Sequence, residues 1–150
     1  MIWKPNVTVA AVIEQDGKFL LVEEQTRFGI LMNQPAGHLE PGESLKEAAA
    51  RETLEESAYH FEPEYLVGIY QWRGNDTTYL RFAFGGRILS HEAGRRLDEG
   101  IIRTLWLSRD EILEKKERLR SPMVSQCVED YLSGCRFPLE LITHYRKELN

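Results

Sequence analysis

Residues 37–59 read Gly37-His-Leu-Glu-Pro-Gly-Glu-Ser-Leu-Lys-Glu-Ala-Ala-Ala-Arg-Glu-Thr-Leu-Glu-Glu-Ser-Ala-Tyr59, and this stretch decides how the rest of the chain is read. Six carboxylates fall within it, at Glu40, Glu43, Glu47, Glu52, Glu55 and Glu56, with Arg51 set against the last group. Ser44 stands three residues before Glu47, the capping-box pattern in which serine and glutamate satisfy backbone N–H groups at a helix start. A helix is therefore expected to begin near Leu45, and the strong helix formers Ala48 to Ala50 and Leu54 should carry it to about Ser57. On that helix Glu52, Glu55 and Glu56 stand at i, i+3 and i+4 and share one face. Like charges at this spacing repel. The same three residues make either an ordinary solvated acidic face or a site for a hard cation such as Mg²⁺ or Mn²⁺, which prefers carboxylate oxygens. Spacing alone leaves both open.

Composition narrows the setting. A chain of 150 residues is long enough for one domain with a real core, so residues 1–150 are read as a single domain. The net charge of −5 argues against a general binder of nucleic-acid polymers. An acidic protein acting on a small anionic substrate needs cations between the two. No apolar run approaches the roughly 20 residues of a membrane span, and Met1 to Asn6 lacks the apolar centre of a signal peptide. Cys127 and Cys135 have no His or Cys neighbours at metal spacing and read as reduced thiols. A cytoplasmic monomer or homodimer is the expectation.

Outward from the acidic helix, 7–13 and 18–24 are apolar on both faces, so they are expected as strands covered from two sides and joined across Gln15-Asp16-Gly17 as a hairpin. Gln25 to Ile30 is expected as a loop, and Leu31 to Gln34 as a short strand stopped by Pro35. Beyond the helix, Tyr65 to Trp72 and Thr78 to Phe84 read as strands across Gly74-Asn75-Asp76, with Leu80, Phe82 and Phe84 alternating against Tyr79, Arg81 and Ala83. Ser90 to Gly100 is expected as a mobile polar loop and Ile101 to Leu107 as a strand. Ser108-x-x-Glu111 is a second capping box, and Ser121-Pro122 opens a helix ended by Gly134, before a final short helix. Strands on both sides of one charged helix, with a helical layer after them, predict an α/β (α+β) fold with a mixed sheet between helices.

The spacing Gly37-x5-Glu43-x7-Arg51-Glu52-x2-Glu55-Glu56, with Tyr59 after it, resembles the signature of the Nudix hydrolases. Thr53 stands where that pattern has a bulky apolar residue, and Ala58 where it has a second glycine. The segments Asn33 to Glu40, Gln71-Trp72, Leu80 to Phe82, Arg120 to Pro122, Ser133-Gly134 and Pro138 to Glu140 are similar to one bacterial subgroup, the NudJ-type phosphatases, with Met32 standing where a tryptophan is expected. The resemblance implies a Nudix α/β/α sandwich and a metal-dependent hydrolase cleaving phosphoanhydrides. The substrates it implies are nucleoside tri- and diphosphates and the pyrophosphate of the thiamine pyrimidine precursor.

By the same resemblance, Glu52, Glu55 and Glu56 supply metal ligands, the Gly37 carbonyl assists, and Arg51 orients a glutamate. The general base is either Glu52 or an acid of the later loop, Asp98 or Glu99. Arg27 and Arg81 are candidates for phosphate, since a guanidinium pairs with phosphate oxygens, and Trp72 and Phe28 for stacking on a ring. Gln34 joins the substrate-binding candidates. The competing readings are a non-catalytic nucleotide- or phosphate-binding module on the same fold, and a Nudix enzyme specialised for another nucleoside diphosphate derivative.

Overall fold

The computed structural model describes residues 1–147. Strand β1 (Asn6–Val12) lies inside a five-stranded sheet, between β5 (Ala36–His38), which runs antiparallel to it, and β7 (Thr78–His91), which runs parallel. Strands β6 (Tyr59–Arg73) and β9 (Phe137–Pro138) complete that sheet with antiparallel pairing. A second sheet is built on β3 (Lys18–Thr26), with β8 (Ile101–Ser108) along one side and β2 (Glu14–Gln15) and β4 (Gly29–Asn33) along the other.

The helices cover the faces that the sequence leaves apolar. Val9 and Ala11 pack with Leu66 and Phe84 against Ala48 and Ala49 of α1 (Leu45–Ser57). The intervening Ala10 and Val12 point the other way, toward Val124, Cys127 and Val128 of α3 (Pro122–Leu132). The short α2 (Arg109–Glu114) adds Ile112 to that second core. Residues 9–12 are all buried, as a strand covered on both sides requires. The expected α/β/α arrangement with a mixed sheet is what forms.

Both predicted capping boxes close, at Ser44/Glu47 and Ser108/Glu111, and the first starts α1 at Leu45. Ser121 caps α3 by accepting from Met123 N–H, with Pro122 at the first helical position. Asp16 and Gly17 both have positive φ (51° and 79°), as a two-residue primed hairpin turn requires.

Elsewhere the chain departs from the sequence expectation. The Asp16-Gly17 turn joins β3 to the two-residue β2 and not to β1. Both edges of β1 are taken by β5 and β7, so the apolar run breaks at Ile13 and its continuation enters the other sheet. The expected loop 25–30 shrinks to Arg27 and Phe28, because β3 and β4 stay paired to Thr26 and Gly29. Strands β6 and β7 run well beyond the predicted limits, and β6 absorbs Pro63 and Gly68 at register shifts. The polar segment after His91 is tied down. Glu92 N–H donates to Ala58 O at 2.9 Å, and Asp98 N–H donates to Glu55 O at 3.0 Å. The final short helix is a single 3₁₀ turn at Leu139–Leu141.

Candidate active site

Helix α1 is anchored so that its acidic face points along the edge strand β5. Its buried face carries alanines and two hydroxyls, Thr53 and Ser57, which donate to the carbonyls of Ala49 and Thr53 four residues earlier (2.7 and 2.5 Å). A buried hydroxyl satisfied this way behaves as a small packing residue. Thr53 therefore fits a position where a larger apolar side chain is the usual choice. Ala58 ends the helix with φ 66° and ψ 12°, the left-handed conformation that glycine adopts more easily. Gly37 has a different reason to be glycine: a Cβ there would overlap the Glu52 carboxyl. Strand β5 and helix α1 meet at that contact, which brings the Gly37 backbone beside the acids.

Arg51 organises the acids. It grips Glu43 with two hydrogen bonds, Nε to Oε2 at 3.0 Å and NH2 to Oε1 at 2.7 Å. Its NH1 donates to Glu52 Oε1 (2.8 Å) and Glu55 Oε2 (3.1 Å), and its NH2 also reaches the His38 carbonyl (3.0 Å). These bonds hold Glu43 below the usual carboxylate range. An arginine committed to this many acceptors is a fixed strut, whereas a lone surface ion pair would contribute little.

One carboxylate oxygen each from Glu52, Glu55 and Asp98 lies within 4.8 Å of the others. Glu56 sits behind them, accepting from Ala36 N–H at 2.9 Å. Burial pushes Glu56 up to about 8, and the neighbouring charges of Glu52, Glu24 and Asp98 add to the effect. Burial likewise raises Glu52, against the opposing pull of Arg51. Glu52 and Glu56, where burial disfavours the charged carboxylate, fit a divalent cation, which supplies the charge that their environment lacks. Glu52, Glu55, Glu56 and Asp98 could hold it.

A cavity of about 1400 Å³ opens beside this cluster, with Glu52, Glu56 and Gly37 in its wall. Arg27 and Phe28 stand on its rim in the β3–β4 turn, with the guanidinium carbon 4.8 Å from the Phe28 ring centre. Trp72 also lines it, stacked on Tyr79 with ring centres 5.7 Å apart.

Arg81 does not alternate outward as the strand pattern suggested. It is 3% exposed, while Leu80 and Phe82 are only half-buried, because both faces of β7 are covered. Gln34 is 1% exposed and lies behind Arg81, accepting from its NH1 at 2.9 Å and donating to Val124 O at 2.8 Å. Met32, which stands where a tryptophan was expected, is fully buried in the α3-side core and is absent from the cavity wall. Of the two loop acids, Asp98 joins the carboxylate cluster; Glu99 is exposed and outside it. Sequence reasoning missed Asn33, Tyr79 and the Arg120–Glu24 ion pair, all in the cavity wall. They come from separate strands and a loop, and no spacing links them.

The whole arrangement matches a known family. Residues 3–127 match the NUDIX domain. The chain belongs to the Nudix family. As a Nudix hydrolase it is 45% identical over 141 residues to Phosphatase NudJ of Shigella boydii, covering 93% of this chain and 92% of that protein. It is 44% identical over the same length to Phosphatase NudJ of Escherichia coli K12. Among solved structures, a NUDIX hydrolase from Nitrosomonas europaea superposes with a TM-score of 0.92 at 56% identity, covering 95% of this chain and 98% of that one. No helix among the described residues is long and apolar enough to cross a membrane.

Proposed function

We propose that this Nudix hydrolase cleaves a phosphoanhydride bond of small diphosphate-bearing molecules with Mg²⁺ or Mn²⁺ held by Glu52, Glu55, Glu56 and Asp98. The substrates favoured are nucleoside tri- and diphosphates and pyrophosphates of the thiamine-pyrimidine type. The observation that carries the reading is the cluster of carboxylate oxygens within 4.8 Å of one another, beside a cavity whose wall includes Glu52 and Glu56. A divalent cation supplies charge neutralisation of the phosphates and activation of water.

The chain's own residues do the rest. Arg51 fixes Glu52 and Glu55 in place through NH1 and braces them on Glu43. Gly37 leaves room for the Glu52 carboxyl. Water attacks phosphorus, forming one P–O bond as the bridging P–O bond breaks, and the leaving phosphate takes the electron pair. A carboxylate of the cluster, Glu52 or Asp98, accepts the water proton. Trp72, Arg27 and Arg81 lie along the cavity where the rest of the substrate must sit. The free thiols Cys127 and Cys135 agree with a cytoplasmic setting.

The test is a substrate panel of nucleoside di- and triphosphates, thiamine diphosphate, its pyrimidine pyrophosphate precursor, nucleotide sugars and dinucleoside polyphosphates. Phosphate or pyrophosphate release with Mg²⁺, stopped by EDTA, is expected. Saturable binding without turnover under both Mg²⁺ and Mn²⁺ would favour a binding module in its place.

A further inference from the structure

The cavity has a second end that the metal chemistry leaves unexplained. On the five-stranded sheet, His38, Thr8 and Arg81 are register partners across β5, β1 and β7, so their side chains share one face. Gly37, the neighbour of His38, faces Glu52, so that shared face is the opposite one from α1. Arg81 lies two strands in from β5, a separation of about 10 Å. The cavity wall nevertheless includes Glu52, Glu56 and Arg81 together, and therefore passes around the short edge strand β5. A molecule with its diphosphate at the acids meets Arg81 with its other end.

Arg81 is 3% exposed, and among the described residues no acid pairs with it. Its partners are neutral: Gln34 Oε1 at 2.9 Å, Asn33 Oδ1 at 2.8 Å and Cys127 Sγ at 3.9 Å. Its Nε has no hydrogen-bond partner among the described residues. A cation taken out of water without a counter-charge is costly, and arginine can only donate. Beside it stand the stacked rings of Trp72 and Tyr79, which offer a flat face.

We propose that Arg81, held by Asn33 and Gln34 and flanked by the Trp72–Tyr79 pair, is a specificity residue that donates to an acceptor oxygen or nitrogen on the edge of a planar heteroaromatic ring at the non-phosphate end of the substrate. This rests on the hydrolase reading above and names the part of the substrate that Arg81 reads. Phosphate recognition is assigned to the acidic end, on the other face of the sheet.

The experiment compares cytidine diphosphate with the ring-free ribose 5-diphosphate, using the wild type, Arg81→Gln and Asn33→Ala. Selectivity for the nucleotide over the ring-free compound should fall about 10- to 100-fold in Arg81→Gln, carried by KM, with a smaller fall in Asn33→Ala. Equal losses on both compounds, or none on the nucleotide, would overturn the assignment. Should Arg81→Gln fail to fold, the half-buried Asn33→Ala decides by the same ratio. If the wild type turns over neither compound, the hydrolase reading is decided separately by the substrate panel above. Quenching of tryptophan fluorescence by cytidine alone then tests the subsite: saturable quenching weakened in the variants supports it, and equal quenching in all three proteins overturns it.

Discussion

The two ends of the cavity handle charge in opposite ways. At the α1 end, Glu52, Glu55, Glu56 and Asp98 are crowded together, and Arg51 offsets only part of their charge. At the α3 end, a single guanidinium is buried among neutral amides and a thiol, with no acid among the described residues to answer it. Each end is short of the charge that a ligand would bring: cations at the first, an electron-rich edge at the second. Charge imbalance of this kind marks ligand sites, since a structural network would have closed it with residues of its own. The difference lies in what must be exact. Metal chemistry needs several oxygens at fixed spacing, whereas ring recognition needs one donor and a flat wall.

The strongest way to break the acidic end is Glu55→Gln. It removes a charge from the cluster and is expected to lower kcat by about 10²–10³-fold, with the melting temperature close to wild type. A rate within a few-fold of wild type would detach the cluster from the chemistry. The two loop acids sharpen the same end. Asp98→Asn should cost about 10- to 100-fold in metal affinity or rate, measured as Mg²⁺ dependence of phosphate release. Glu99→Gln should stay within about twofold. The reverse order would restore Glu99 as the loop acid.

Acidity offers a third test. Folded Glu56 is pushed up to about 8 from 4.5, so the metal-free folded state holds this proton more firmly than the unfolded chain does. Stability from this group is complete below about 4.5 and is lost as pH rises toward about 8. Thermal melts of EDTA-treated protein should therefore fall across that window, Glu56→Gln should flatten the fall, and added Mg²⁺ should stabilise most at the alkaline end. The smallest effect expected is that of Ala58→Gly. Relief of the left-handed strain (about 1–2 kcal/mol) is offset by a lost buried methyl and a freer unfolded chain (roughly 1–2 kcal/mol together). Urea unfolding should show a net change below about 1 kcal/mol.

How far the sequence could be read follows the same division. Helix α1 was legible because Ser44, Glu47 and the run from Ala48 to Glu56 carry their own start signal and spacing. Its acids lie on one local element, so contact between them follows from helix geometry. The far end was not legible. Arg81 sits in an alternating strand, and that alternation assigns it to the solvent unless both faces are covered. Its partners Asn33, Gln34 and Cys127 come from β4, the segment after it and α3, at sequence distances of 46 to 48 residues. The separation of the 7–13 and 18–24 runs into different sheets was hidden for a similar reason, since the neighbours of β1 are set by β5 and β7. Met32 shows the opposite hazard: it departs from a family pattern, yet its side chain packs wholly in the core and away from the cavity wall.

The central claim is that the carboxylates on α1 and Asp98 form a divalent-cation site. Titration of the wild type and Glu55→Gln with Mn²⁺, followed by the loss of the free-ion electron paramagnetic resonance signal, tests it directly. The account predicts saturable binding to the wild type that is weakened at least about tenfold in Glu55→Gln. Equal binding by the two proteins, or none by the wild type, would contradict it.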